Sequence, residues 1–265
     1  MKKTIVFILL FPLLAIAQPE QYYVTFLKGQ VILQQTKQPI KIGDKLSAAD
    51  QLIFKDNQSK LGCVSPGKGR FELSAQQVKP NQQGELLAVL KSNLLPATNT
   101  YHLSTRSLLF EGYDPKTYFT SPETEGRVLV FSDRPLPIIG SYKTDADHFF
   151  FIQYSSNGKT IVKKIPAGEK GLQFTAAVFS DENGNMPAQK VMICYQAKDA
   201  GKASSSVLAS FIPVVTDSGT LAAQLDVIKK HSNITDRKKL QAELSDHIFA
   251  NFGKIGPEEI QSFIQ

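Results

Sequence analysis

The chain has 265 residues and a formal net charge of +6 at pH 7. A chain of this length forms one large or two small domains. Its basic residues occur in short groups, such as Lys163-Lys164 and Lys238-Lys239, rather than in the concentrated stripe that binds nucleic acid, so the composition argues against a nucleic-acid-binding protein.

The first predicted element is a secretory signal peptide, residues 1–17. Two lysines precede an apolar run from Thr4 to Leu14, and Ala15-Ile16-Ala17 then places small residues where a signal peptidase cleaves. The alternative, a retained membrane anchor, needs roughly 20 apolar residues, and this run is shorter and contains Pro12. The signal predicts a bacterial protein that is periplasmic or secreted, with no transmembrane segment after cleavage.

Residues 18–108 are predicted to form a small β domain with one short helix. Segments rich in β-branched and aromatic residues alternate with glycine, proline and asparagine turns, a rhythm typical of a small barrel or sandwich. The predicted strands cover 22–26, 30–33, 52–54, 60–64, 70–73 and 102–106, and the short amphipathic helix covers 84–93. Residues 39–44 are predicted to form a further strand that ends in a Gly43-Asp44 turn.

An ordered series of motifs runs through residues 22–74. It consists of Gly29-x-Val31, Ile42-Gly43-Asp44-x-Leu46, Leu52, Ser59 to Val64 and the turn Gly67–Gly69. The series resembles the FecR-like periplasmic β domain, and the resemblance implies a periplasmic module that senses or binds partners. FecR proteins also carry a cytoplasmic segment and a membrane span that contact a sigma factor. We expect neither here, so the resemblance extends to fold and compartment but not to sigma-factor regulation.

Two groups of residues in this domain are candidates for a binding surface. Tyr22, Tyr23 and Phe26 are aromatic residues of the kind that anchor a carbohydrate or peptide in a groove, and the basic Lys68 and Arg70 can meet an anion. The alternatives are core packing for the aromatic residues and a solvated turn for the basic pair. The chain has no Trp, which weighs against carbohydrate.

Residues 109–126 contain several glycine and proline residues and are predicted to be a linker. Residues 127–265 are predicted to form an antiparallel β-sandwich domain packed by two to three helices. Asn157-Gly158 between two β-prone runs is the strongest hairpin signal, because both turn positions need positive φ. The predicted strands cover 127–131, 148–154, 160–165, 172–179, 190–196 and 206–215.

Towards the end of the chain the hydrophobic period changes from two to 3.6, which predicts helices. We expect these helices to pack on the second sheet. Their predicted boundaries are an N-cap at Asp217 or Ser218, an N-cap at Thr235 or Asp236, a stop at Gly253 and a start at Pro257.

The sequence contains no recognisable catalytic or metal-binding motif, and no cofactor is predicted. The histidines His102, His148, His231 and His247 have no partner at ligand spacing on one helix face, and they are expected to be exposed. Asp181–Asn185 suggests a calcium loop but lacks the glycine at position six and the glutamate at position twelve. Cys63 and Cys194 lie in apolar segments and are predicted to be buried thiols rather than a disulfide.

These observations favour an exported, non-enzymatic binding protein of the bacterial cell envelope whose partner is another envelope protein. Two alternatives remain open. One is a hydrolase of envelope polymers in which the fold brings together carboxylates such as Asp133, Asp145 or Asp147. The other is a small-ligand carrier with a cavity beneath Phe149–Ile152.

Overall fold

A computed structural model describes residues 20–66, 68–76, 113–138, 142–181 and 190–264. The predicted helix over 84–93, the predicted strand over 102–106 and residues 182–185 of the suspected calcium loop lie outside these residues. The fold is mostly β with C-terminal helices, which confirms the predicted class, and the described sheets do not close into a barrel.

The N-terminal module, residues 20–76, consists of short antiparallel strands. They are β1 (Gln21–Lys28), β2 (Val31–Leu33), β3 (Lys45–Ser47), β4 (Leu52–Phe54), β5 (Lys60–Ser65) and β6 (Gly69–Ser74). One sheet has the order β3-β1-β5-β6, and β2 pairs separately with β4. Tyr22, Val24 and Leu61 are buried together in the core between these strands.

Residues 39–44 contain the predicted turn at Gly43-Asp44, but the strand predicted before it is wrong, because Pro39 alone among them makes a β-bridge, to Ile32. The Asp44 carboxylate accepts a hydrogen bond from the backbone N–H of Lys41 at 2.8 Å. Gly43 has a φ of 89°, a conformation that glycine adopts without steric cost. The third strand, β3, therefore begins only after the turn.

β1 contributes to two different hydrophobic cores. Tyr22 and Val24 face the core of the N-terminal module, whereas Phe26 packs among the C-terminal helices. The pairing of β1 with β5 shifts register between Val24 and Phe26, as expected for a β-bulge, which re-aims a side chain. The N-terminal module is thereby joined to the helices by direct packing.

The C-terminal module, residues 113–264, is built on a five-stranded sheet. The strands of the whole module are β7 (Arg127–Phe131), β8 (Phe149–Ser156), β9 (Lys159–Lys164), β10 (Ala167–Gly168), β11 (Gly171–Leu172), β12 (Val191–Asp199) and β13 (Lys202–Thr216). The sheet has the order β7-β13-β12-β8-β9, and β10 pairs with β11. Its pairs are antiparallel except β7 and β13, which are parallel. The prediction of a purely antiparallel sheet is therefore wrong at this one pair.

The turn between β8 and β9 has the predicted form. Asn157 and Gly158 have φ values of 51° and 76°, as a two-residue hairpin of this type requires. The strand predicted over 172–179 is wrong beyond Leu172, because helix α2 occupies Ala176–Phe179.

The predicted linker contributes to the core of the C-terminal module. It contains helix α1 (Pro115–Tyr118) and a 3-10 turn (Pro122–Thr124). Tyr118 and Phe119 are buried against the sheet, and the ring of Phe119 lies 4.4 Å from that of Phe211 between centroids. Residues 113–126 are therefore part of this module.

Three helices follow the sheet, as predicted. They are α3 (Ser218–His231), α4 (Arg237–Phe252) and α5 (Pro257–Ile264). Asp217 and Asp236 are the N-caps of α3 and α4, and Gly253 ends α4 with a φ of 89°. None of the described helices has the length and apolar character needed to cross a membrane.

The two cysteines are free and buried, which confirms their predicted state. Burial raises the pKa of the Cys63 thiol to about 12 and also raises the pKa of Cys194. Because the thiolate is the reactive form, the raised pKa values lower the reactivity of both thiols at neutral pH.

Candidate functional site

The two faces of the five-stranded sheet have different surroundings. Phe150, Ile152 and Ile193 point into the core of the C-terminal module. We call the opposite side the outer face. At the β7 end of the sheet, the helices cover this face and pack on Leu129 and Phe131.

The cross-strand register places two rows of side chains on the outer face. Directly opposed residues of antiparallel strands share a face, so each row can be followed from β9 to β13. One row is Val162–Gln153–Met192–Ser210, and the next is Lys164–Phe151–Cys194–Val207.

The margins of these rows are exposed although their centre is buried. Phe151 and Cys194 in the central strands are buried, whereas Val162 on β9 is 57% exposed and Val207 on β13 is 60% exposed. Among the described residues, these are the large hydrophobic side chains that solvent reaches most. Burying them against a partner would contribute roughly 1 kcal/mol each.

Val162 lies on a strand with an unpaired edge. β9 is the last strand of the sheet and pairs only with β8 among the described residues. The N–H of Ile165, just after β9, donates to the carbonyl of Phe150 at 2.9 Å, so odd-numbered residues of β9 direct their backbone groups towards β8. The backbone groups of Thr160, Val162 and Lys164 consequently point away from the sheet.

β9 is also strongly basic. Lys159 and Lys164 are exposed, and the Lys164 ammonium lies 4.3 Å from the centroid of the Phe149 ring. Lys163 is anchored instead, because its ammonium donates to the carbonyls of Ala177, at 2.7 Å, and of Ser180. Two exposed cations, Lys159 and the ring-bound Lys164, therefore lie on either side of Val162 along β9.

Val207 also lies beside an unpaired edge. β13 pairs with β7 only from Ile212 onward, and residues 202–207 pair only with β12 among the described residues. All six of these residues are exposed. Because an unpaired edge can accept a further strand, the outer face has an open edge at each margin.

His148 connects a surface loop to the end of β12. One ring nitrogen, Nδ1, lies 2.9 Å from the Asp145 carboxylate, and the other, Nε2, lies 3.2 Å from that of Asp199. Hydrogen bonds to Asp145 and then to Asp199 raise the pKa of His148. This arrangement favours the doubly protonated ring, which donates on both sides.

The carboxylates proposed for a hydrolase lie in separate networks. Asp133 accepts hydrogen bonds from the backbone N–H and hydroxyl of Ser218 at the start of α3. Asp145 binds His148, and Asp147 lies 3.6 Å from the ammonium of Lys198. Asp145 and Asp147 therefore share a loop, whereas Asp133 is committed to the N-terminus of α3.

Two of the residues expected to line a carrier cavity have no space beside them. Phe150 and Ile152 are completely inaccessible to solvent in the core, so no water-sized space touches them. The alternate residues Phe149 and Phe151 point to the outer face.

The five predicted binding residues do not form one exposed surface. Tyr22 is 1% exposed and Phe26 is 8% exposed, because both belong to hydrophobic cores. The Tyr23 ring stacks on His231 of α3, with 3.5 Å between centroids. Core packing, the alternative for these aromatic residues, describes Tyr22 and Phe26.

The two basic candidates also have partners within the chain. Lys68, which is exposed, forms an ion pair with Glu20. Arg70 Nε lies 3.0 Å from a carboxylate oxygen of Glu243 on α4, an ion pair by distance without hydrogen-bond alignment. Tyr23 and Arg70 therefore join the N-terminal module to the helices.

Sequence reasoning missed His247, which was expected to be exposed and is completely buried in α4. Its Nε2 lies 2.9 Å from the Gln224 side-chain oxygen, and its Nδ1 lies 3.3 Å from the Asn251 amide nitrogen. Burial, and then the nearby charge of Arg70, lowers the pKa of His247 to about 3. The available signal was its spacing of three residues from Leu244, which continues the apolar stripe.

The described residues contain no group of three or more His, Cys, Asp or Glu side chains positioned to hold a metal ion. Comparison of the chain with protein-family models, with curated proteins and with solved structures found no match.

Proposed function

We propose that the protein is an exported, non-enzymatic binding protein of the bacterial cell envelope and that the margins of its outer face contact the partner. The observation that carries this proposal is the exposure of Val162 and Val207 on one face, each beside an unpaired strand edge. Isolated exposed apolar residues are common, but two of them beside open edges of one sheet favour an interaction surface.

The compartment rests on the beginning of the sequence. The apolar run that ends in Ala15-Ile16-Ala17 supports export, and the FecR-like motifs of residues 22–74 support a periplasmic binding role. An envelope protein is the partner that an exported bacterial chain meets.

Site-specific photo-crosslinking tests the binding role in the native host. A benzophenone amino acid replaces Val162 or Val207 in two separate variants, and exposed Gln58 of the N-terminal module serves as the control position. We expect the same adduct at Val162 and Val207, with none at Gln58. Loss of the reconstituted complex when Val207 is changed to Ser would tie the adduct to this face. Equal crosslinking at all three positions, or none, would refute the proposal.

Fractionation tests the compartment separately. We expect the mature protein in the periplasmic or secreted fraction, with Gln18 as its first residue. Recovery of the uncleaved chain from the cytoplasm would refute export.

A further inference from the structure

We infer that the outer edge of β9 binds an extended acidic segment of the partner by adding it to the sheet as a further strand. The inference deepens the proposed function and rests on it. It concerns residues 159–164 and the class of segment that fits them.

The backbone of β9 is ready to accept a strand. Thr160, Val162 and Lys164 direct their N–H and C=O groups away from β8, as the parity set by Ile165 requires. An added strand would bond to these groups and supply most of its affinity through the main chain. The side chains of Val162 and Lys164 lie on the outer face, where they can select the residues that oppose them.

The charge of β9 selects the occupant. The strand contains Lys159, Lys163 and Lys164 and no acidic residue. Lys159 and Lys164 are exposed on opposite faces of the sheet, because side chains alternate between the faces along a strand. A second copy of the chain paired at this edge would bring two sets of lysines together, which opposes self-association. An acidic segment meets a lysine on either face and can place an apolar residue beside Val162.

The same lysines therefore have opposite effects on two classes of partner. Repulsion of like charges excludes another β9, and attraction accelerates the approach of an acidic chain. Because Lys159 and Lys164 are exposed, binding should weaken as salt screens them.

Short fluorescein-labelled peptides test the inference on the purified mature protein by fluorescence anisotropy. The first repeats Glu-Glu-Val-Val, which places both glutamate and valine on each face of the strand. The second repeats Glu-Glu-Pro-Pro, which keeps the charge but places prolines on both edges, so that it cannot pair as a strand. The third repeats Lys-Lys-Val-Val, which keeps the strand propensity but reverses the charge. We expect binding of the first peptide alone, with affinity falling as ionic strength rises.

Substitutions at Val162 separate the backbone from the side chain. Val162→Pro removes one outward N–H and leaves the bonds to β8, because proline is tolerated where the edge faces solvent. Val162→Thr keeps the N–H and the branched shape. We expect Val162→Pro to bind the glutamate–valine peptide about tenfold more weakly than Val162→Thr, with melting temperatures of both close to that of the unmodified protein.

Charge reversal supplies a second, independent variant. Lys164→Glu should weaken binding of the glutamate–valine peptide by about threefold to tenfold. Lys170→Glu makes the same charge change at an exposed position outside β9 and should alter binding less than twofold. Amide exchange adds a local readout, because the N–H of Val162 should exchange more slowly when the peptide is bound.

Equal binding of the proline peptide, or equal effects of Lys164→Glu and Lys170→Glu, would overturn the inference. Crosslinking at Val207 without peptide binding would overturn it while leaving the proposed function intact. Peptide binding by a protein that crosslinks to nothing in its host would refute the proposed function and would leave the binding of an acidic strand at β9 standing.

Discussion

Protonation of the buried His247 should destabilise the fold as the pH falls below neutrality. The pKa of His247 is about 3 in the folded protein, against an ordinary value of 6.5. Between these values the unfolded chain binds a proton that the folded chain does not, so stability decreases as the pH falls. Arg70 from β6 opposes protonation, while Gln224 and Asn251 hold the neutral ring.

The size of the effect follows from the two pKa values. One proton bound only by the unfolded state changes the free energy of unfolding by about 1.4 kcal/mol per pH unit. Between pH 6.5 and 4.5 we expect a loss of about 2 kcal/mol, since the difference in proton binding develops gradually near pH 6.5. Carboxylates with lowered pKa values, such as Asp217, have an ordinary value of 3.8 and lose their contribution mainly below this window.

Urea unfolding at several pH values provides the measurement. His247→Gln removes the titrating ring and keeps a hydrogen-bonding amide, so its free energy of unfolding should vary less with pH than that of the unmodified protein. His231, whose pKa is also lowered, contributes equally to the unmodified protein and to His247→Gln. Subtracting one pH curve from the other therefore cancels its contribution. His148→Asn is the matched control. Because the pKa of His148 is raised, its protonation stabilises the folded protein as the pH falls, so removing it cannot make the free energy of unfolding less dependent on pH. Parallel pH curves for the unmodified protein and His247→Gln would refute the reasoning.

Three further substitutions test other contacts by urea unfolding. Gly253→Ala should cost about 1–3 kcal/mol, because φ is 89° and the added carbon would lie 2.4 Å from a carbonyl oxygen of β7; an unchanged midpoint would contradict this. Asp236→Ala removes an N-cap and should lower the free energy of unfolding by about 1 kcal/mol. Asp226→Ala, on the exposed face of α3, should change it little, and equal effects of the two substitutions would show that capping is not the cause. Arg70→Met leaves the Glu243 carboxylate without its cation and should cost more than the double substitution with Glu243→Gln; additive effects would show that the two residues do not interact.

The sequence predicts the strands of the second sheet well because their local signals agree. Asn157-Gly158 can adopt positive φ, and the flanking β-prone segments then pair as a hairpin. The caps Asp217 and Asp236 are likewise local, since each side chain bonds to an N–H three residues later. The error over 172–179 arose because Phe174 and Phe179 fit either a strand or a helical turn, and their mutual stacking in the core favours the turn.

The exposed margins could not be predicted from the sequence, because they depend on strand order. Val162 follows Ile161 in a β-prone segment, and Val207 begins an apolar segment that continues to Val215. Neither pattern shows which strand is an edge. Their exposure arises because β9 is an edge and because residues 202–207 extend beyond the pairing with β7. The opposite error concerns Phe26, whose burial depends on a helix more than 200 residues away in sequence.

The positions of the helices and of the exposed margins have a common physical cause. The sheet carries apolar residues on both faces, and α3 to α5 pack on the outer face over β7 and the adjoining end of β13. The same helices bury Phe26 and His247 against β1, so their other contacts are already committed to the N-terminal module. The β9 margin is at the far end of the strand order and is left to solvent. The packing that joins the two modules therefore leaves Val162, on this margin of the sheet, exposed to solvent.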